Sequence, residues 1–156
     1  MRITLAASMA ILAFAAPVQG ANKESWGFVE SGKEALLVYG VPESDVVTIS
    51  FICDTEARRI EIVTTVLPRK PRREQPLKTT LGNGTATAAY DGKVGFSTAT
   101  EEFHFAASVA AAPKVVDILK SGTSLTIGIP GRQVRVPLRG VARPLARFET
   151  ACFRQR

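Results

Sequence analysis

Apolar and polar side chains alternate along much of this chain. In VVTISFICD, Val47, Ile49, Phe51 and Cys53 fall on one side of an extended backbone and Thr48, Ser50 and Asp54 on the other, which is the pattern of a half-buried strand. Thr55, Glu56 and Ala57 form a short polar connection, and RRIEIVTTV then sets Ile60, Ile62 and Val66 against Arg59, Glu61 and Thr65. Two strands this close predict an antiparallel hairpin. TTLGNGTATAAY carries Asn83-Gly84, a pair suited to a turn whose two central residues both take positive φ, so a second hairpin is expected there. The Asn-Gly-Thr triplet that Asn83 opens is accordingly read as a turn and not as a sugar acceptor. EFHFAASV offers another extended segment. In SLTIGIPGRQVRVPL, Leu125, Ile127 and Ile129 alternate up to Pro130-Gly131, and Val134, Val136 and Leu138 alternate away from it. ALLVYG and WGFVE are shorter strand candidates.

Two segments change period. PKVVDILKSG starts at a proline, ends at Ser-Gly, and places Val115, Val116, Ile118 and Leu119 on one face with Asp117 and Lys120 opposite, predicting one short amphipathic helix. RPLARFETACF has Pro144 in a first helical turn and Leu145, Phe148 and Cys152 at spacings of three and four. The expected fold is therefore all-β, a mainly antiparallel sandwich or flattened barrel, with one short crossing helix and a C-terminal helix.

Composition changes this picture at the amino terminus. MRITLAASMAILAFAAPVQG has a basic residue near its start and an uncharged run from Ile3 to Ala16, the shape of a signal peptide. The run is shorter than the roughly 18 residues that span a bilayer and stops at Pro17, so no transmembrane anchor is expected after processing. Residues 1–20 are expected to be removed before Ala21, leaving 21–156 as a single β-rich domain, periplasmic or secreted. Only Arg2 is lost among the charges, so the formal net charge falls by one from +6 and the chain stays basic.

The chain has 2 cysteines and 1 histidine. Cys53 is on the inward side of its strand and Cys152 on the inward side of its helix, so both thiols point toward one core in a compartment where disulfides persist. A Cys53–Cys152 bridge is the economical reading. Two distant cysteines and His104 do not supply a recognisable zinc spacing, and no metal or other cofactor is expected. His104 alternates with Phe103 and Phe105, away from the inward face, so it does not stand beside a thiol.

The sequence has no Gly-x-Ser-x-Gly elbow, no Ser-x-x-Lys arrangement with partners, and one histidine at most for a triad; LGNGTA lacks the spacing and the lysine of a P-loop. Glu101-Glu102 and Glu43 with Asp45 are carboxylate pairs on paper, and adjacent acids in turns are ordinarily solvated. The strongest non-structural feature is PRKPRREQP, where Arg69, Lys70, Arg72 and Arg73 stand against a single acid, Glu74. Its prolines keep it out of a sheet interior and predict an extended run with its cations spread outside. Such a loop suits an anionic polymer, and equally a connection kept soluble and unable to pair edge to edge. Arg135, Arg143 and Arg147 add further cations on polar faces near the carboxyl end. Nucleic acid is not an expected partner, because aromatic side chains are not interleaved with the basic ones.

At SLTIGIPGRQVRVPLRGVARPLARFETAC the order of hairpin, Pro-Leu-x-Gly exit and closing helix resembles small exported proteins of Gram-negative bacteria of the invasion-associated locus B type. Trp26 is followed by no cysteine until Cys53, a departure from that family's pattern of a cysteine soon after an early tryptophan. The resemblance implies a periplasmic β-sandwich with a role at the envelope or the host, and carries over no site. The expectation is a non-catalytic exported envelope protein that meets anionic envelope material or a protein partner. Two alternatives stand beside it: a periplasmic hydrolase or thiol-dependent enzyme with a dispersed site around His104, and an inhibitor or chaperone-like module.

Overall fold

The alternating segments pair into one antiparallel sheet in the computed structural model, which describes residues 23–153. The expected signal peptide, residues 1–20, lies outside the described residues. The strands are β1 (Ser25–Ser31), β2 (Glu34–Gly40), β3 (Val47–Asp54), β4 (Arg59–Thr64), β5 (Pro76–Gly82), β6 (Thr87–Ser97), β7 (Glu102–Ala110), β8 (Ser124–Ile129) and β9 (Arg132–Pro137), followed by helix α1 (Ala142–Phe153). Their spatial order is β1-β2-β3-β4-β7-β6-β5-β8-β9. The two edge strands approach each other, because the Trp26 indole on β1 donates a 2.7 Å hydrogen bond to the carbonyl of Pro137 on β9. The sheet thus curls into a flattened barrel.

The registers put the predicted apolar sets on one face. Phe51 stands opposite Leu37 and Ile62, and Cys53 opposite Ala35 and Ile60, all fully buried. Because side chains alternate with period two, a slip of one residue would turn every one of these to water, so the buried face holds the register. Leu125 and Ile127 of β8 and Phe148 of α1 close the same core. A smaller cluster of Leu67, Val94, Phe105 and Ala107 fills the β6–β7 side.

β6 makes the corner. Its first half pairs with β5 and its second half with β7, the handover coming at Lys93. Gly92 is required beside it: a Cβ there would lie 2.2 Å from the Ala106 carbonyl oxygen and 2.6 Å from the Phe105 ring. The hairpin segment TTLGNGTATAAY covers only the start of this strand, and Gly92 hides the remainder, because glycine in an extended segment reads as a break when it marks close approach of another backbone.

The helix forms where expected, with Leu145, Phe148 and Cys152 buried, and it packs on β1 and β2. Cys53 and Cys152 are bonded, with an S–S distance of 2.05 Å and Cα atoms 5.8 Å apart. The bridge anchors an element that would otherwise fray.

Two expectations need correction. The crossing helix is two successive 3-10 turns, Pro113–Val115 and Asp117–Leu119. Val116 between them sits at φ −107°, and the segment is too short and too rich in β-branched residues to propagate an α-helix unaided. Its apolar face was read correctly, since Val115, Val116, Ile118 and Leu119 are all buried. The β5–β6 connection is not the two-residue turn expected of Asn83-Gly84, because only Gly84 has positive φ. Asn83 is instead a buried clamp. Its Oδ1 accepts from the amides of Thr85 and Ala86, and its Nδ2 donates to the carbonyls of Ile118 and Ser121, fastening the 3-10 segment to the hairpin. An amide held this way is no sugar acceptor. The Pro130-Gly131 hairpin is as expected, with Gly131 at φ +78° and Ile129 opposite Arg132.

Candidate functional site

The chain leaves the sheet after Thr64, carries the basic tract, and returns at Pro76, which opens β5 as its first residue, a position where proline is tolerated. It is extended only in its first part. Gln75 donates its amide to the Arg72 carbonyl at 3.1 Å, and its side-chain oxygen accepts from the Arg72 amide at 3.2 Å, so residues 72–75 form a tight turn with Glu74 at φ +60°. The turn is pinned to β6 by two backbone bonds, Glu74 N–H to Val94 O and Val94 N–H to Gln75 O. Arg73 lies over the Phe96 ring at 4.9 Å, a contact that fixes the guanidinium without neutralising it. Phe96 stacks edge-on with Phe103 at 4.9 Å. At the other root of the tract, Arg132 of the β8–β9 turn donates to the Leu67 carbonyl at 3.2 Å. Arg132 therefore joins Arg69, Lys70, Arg72 and Arg73; the sequence places it only among the arginines of the carboxyl-terminal third, and the fold brings the β8–β9 turn to this loop.

The other expected cations stand elsewhere. Arg143 and Arg147 are exposed on α1, in a shallow depression shared with Phe28 and Glu30, and Arg147 lies 4.6 Å over the Phe28 ring. Arg135 is exposed on β9 opposite Thr126, facing away from the core as its alternation required. The fold thus carries Arg69, Lys70, Arg72 and Arg73 in one loop, Arg135 on an outer strand, and Arg143 and Arg147 on the helix.

How the charges are spent separates the two basic residue types. Every ion pair among the described residues uses lysine: Lys33–Glu56, Lys78–Asp91, Lys93–Glu74, and Lys120 with both Asp117 and Glu149. Glu74, the only acid in the tract, is thereby occupied by Lys93 on β6. No arginine among the described residues has a carboxylate within 4.0 Å. The residue type whose planar fork suits phosphate and carboxylate is the one left uncommitted.

His104 sits on the outward face of β7 as its alternation required, its ring filling the space over Gly95 of β6, where a Cβ would lie 2.5 Å from Nε2. It makes no side-chain hydrogen bond to an acid or hydroxyl among the described residues. Three clefts open on the surface: 490 Å³ around Glu30, Glu56 and Arg58 beside Cys152, 600 Å³ on the outer face of β1 and β2, and 680 Å³ between Asp45, Val46, Thr65, Glu102 and Phe103. His104 lines none of these clefts. Among the described residues no group of three or more His, Cys, Asp or Glu side chains gathers at metal-binding distance, and no helix is long and apolar enough to cross a membrane. Comparison with protein-family models, with curated proteins and with solved structures returns no match.

Proposed function

We propose that this is a non-catalytic protein exported to the periplasm or beyond, whose uncommitted arginines hold anionic, phosphate-bearing envelope polymer. One observation carries the reading: every ion pair among the described residues is made by a lysine, while the arginines of the 68–75 loop, β9 and α1 stay exposed with no carboxylate partner. The buried disulfide accords with an oxidising compartment, and the leader-like amino-terminal run and the resemblance of the last hairpin and helix to the invasion-associated locus B type point the same way. With neither sulfur free among the described residues, the thiol-dependent alternative has no nucleophile there, and nothing gathered at His104 supports the hydrolase alternative.

The test is co-sedimentation with vesicles bearing lipopolysaccharide, against vesicles of neutral phospholipid. Binding is expected to the first only and to weaken steeply as salt shortens the screening length. Replacing Arg69, Arg72 and Arg73 by glutamine is expected to cut binding at least tenfold, and replacing them by lysine to restore it in part, because charge is kept and the fork is lost. Retention unchanged between low and high salt, or equal on neutral vesicles, rejects the reading.

A further inference from the structure

Unpaired charge at one end of the barrel is of both signs. The β2–β3 loop carries Glu43 and Asp45, the β6–β7 turn carries Glu101 and Glu102, and the basic tract carries Arg69, Lys70, Arg72 and Arg73; all eight are exposed. None of the eight makes an ion pair among the described residues. Asp45, Glu102 and Arg73 are linked through a run of side-chain contacts. Asp45, Val46, Glu102 and Phe103 line one cleft of 680 Å³; Phe103 stacks on Phe96; and Arg73 covers Phe96. That run therefore leads from acid, through an apolar middle, to base. In that middle Val46 is 58% exposed, one of two large aliphatic side chains so placed among the described residues.

We propose that this end of the barrel is a homodimer interface, the acidic β2–β3 loop of each copy meeting the basic tract of the other. A two-fold axis through the apolar middle turns acid onto base twice, so the surface complements itself and the assembly closes at two chains. Val46 and Phe103 of the two copies would form the dry centre, and the charges the rim that sets partner choice. Because the acidic side alone can be altered with every arginine intact, this inference stands or falls separately from polymer binding.

Sedimentation velocity of the purified protein at low salt tests it. Mass is expected to rise from one chain to two with concentration and to fall back at high salt. Val46→Asp is expected to weaken the dimer by about tenfold or more, since it places a charge at the desolvated centre. The decisive arm uses two variants, E43K/D45K and R69E/K70E/R72E, the second leaving the tract net acidic, each checked for native circular dichroism and melting. Each alone is expected to be monomeric, because both of its facing loops then carry one sign. Mixed in equal amounts they are expected to form heterodimers, since acid again faces base at both contacts. A wild-type protein that stays monomeric at every concentration, or variants that fail to pair when mixed although wild type dimerises, overturns the proposal.

Discussion

Thr79 stands on the inward face of β5, fully buried, and its hydroxyl is the one buried side-chain polar atom among the described residues with no hydrogen-bond partner. An unpaired hydroxyl in a core loses its water and gains nothing in return. Thr79→Val keeps the shape and removes the polar atom, and is expected to raise stability by about 1 kcal/mol, read as a shift in the urea midpoint at unchanged slope. Gly92 marks the opposite limit. With the Ala106 carbonyl 2.2 Å from a would-be Cβ, Gly92→Ala must displace the β6–β7 backbone, at an expected cost of about 3 kcal/mol or more by the same measurement. Gly131→Ala supplies a comparison: it meets no atom within 4 Å and should cost only the penalty of its positive φ, about 1 kcal/mol.

At the scale of elements, α1 is held by two attachments of different kinds. Leu145 and Phe148 bury against the sheet, and Cys152 is bonded to Cys53 across 99 residues of chain. A loop of that length corresponds to about 4 to 5 kcal/mol of denatured-state entropy. Reduction is expected to lower the denaturation midpoint by a matching amount and to speed hydrogen exchange in α1 ahead of the β8–β9 hairpin. That link was legible before any coordinates, because two independent periodicities aimed both sulfurs at one core, and so were the inward faces of β3, β4, β8 and α1. The long second half of β6 was not, since Gly92 and Gly95 interrupt its pattern for reasons that lie in Ala106 and His104 of the neighbouring strand. Nor was the clamp by Asn83, whose partners are 35 and 38 residues away. Turn chemistry is written locally only where the turn has no tertiary duties.

For the molecule as a whole, three groups make stability fall on the alkaline side. Burial raises Tyr39 and Tyr90 above the ordinary 10.0, Glu24 adding to the effect at Tyr39. The hydrogen bonds that Lys120 donates to Asp117 and then to Glu149 raise it above 10.5. Each holds its proton more tightly folded than unfolded, so its contribution is complete below the unfolded value and is lost as pH climbs through the folded one. Thermal melting is expected to be level through neutrality and to drop beyond about pH 10, and Glu149→Gln should remove part of the lysine share while leaving the tyrosine share in place. The candidate site was half visible at this scale. The basic tract announces itself by composition, whereas Arg132 and the acids of Glu43 and Asp45 become its neighbours only when distant turns meet at one end of the barrel. The covalent bridge has a further result at this scale. Cys152 follows all nine described strands in chain order, so the lock cannot close until every one of them has been synthesised, and a chain cut short before it keeps Cys53 on β3 as a bare thiol, with the helix missing; an intact bridge is thus a chemical receipt for the full run of strands.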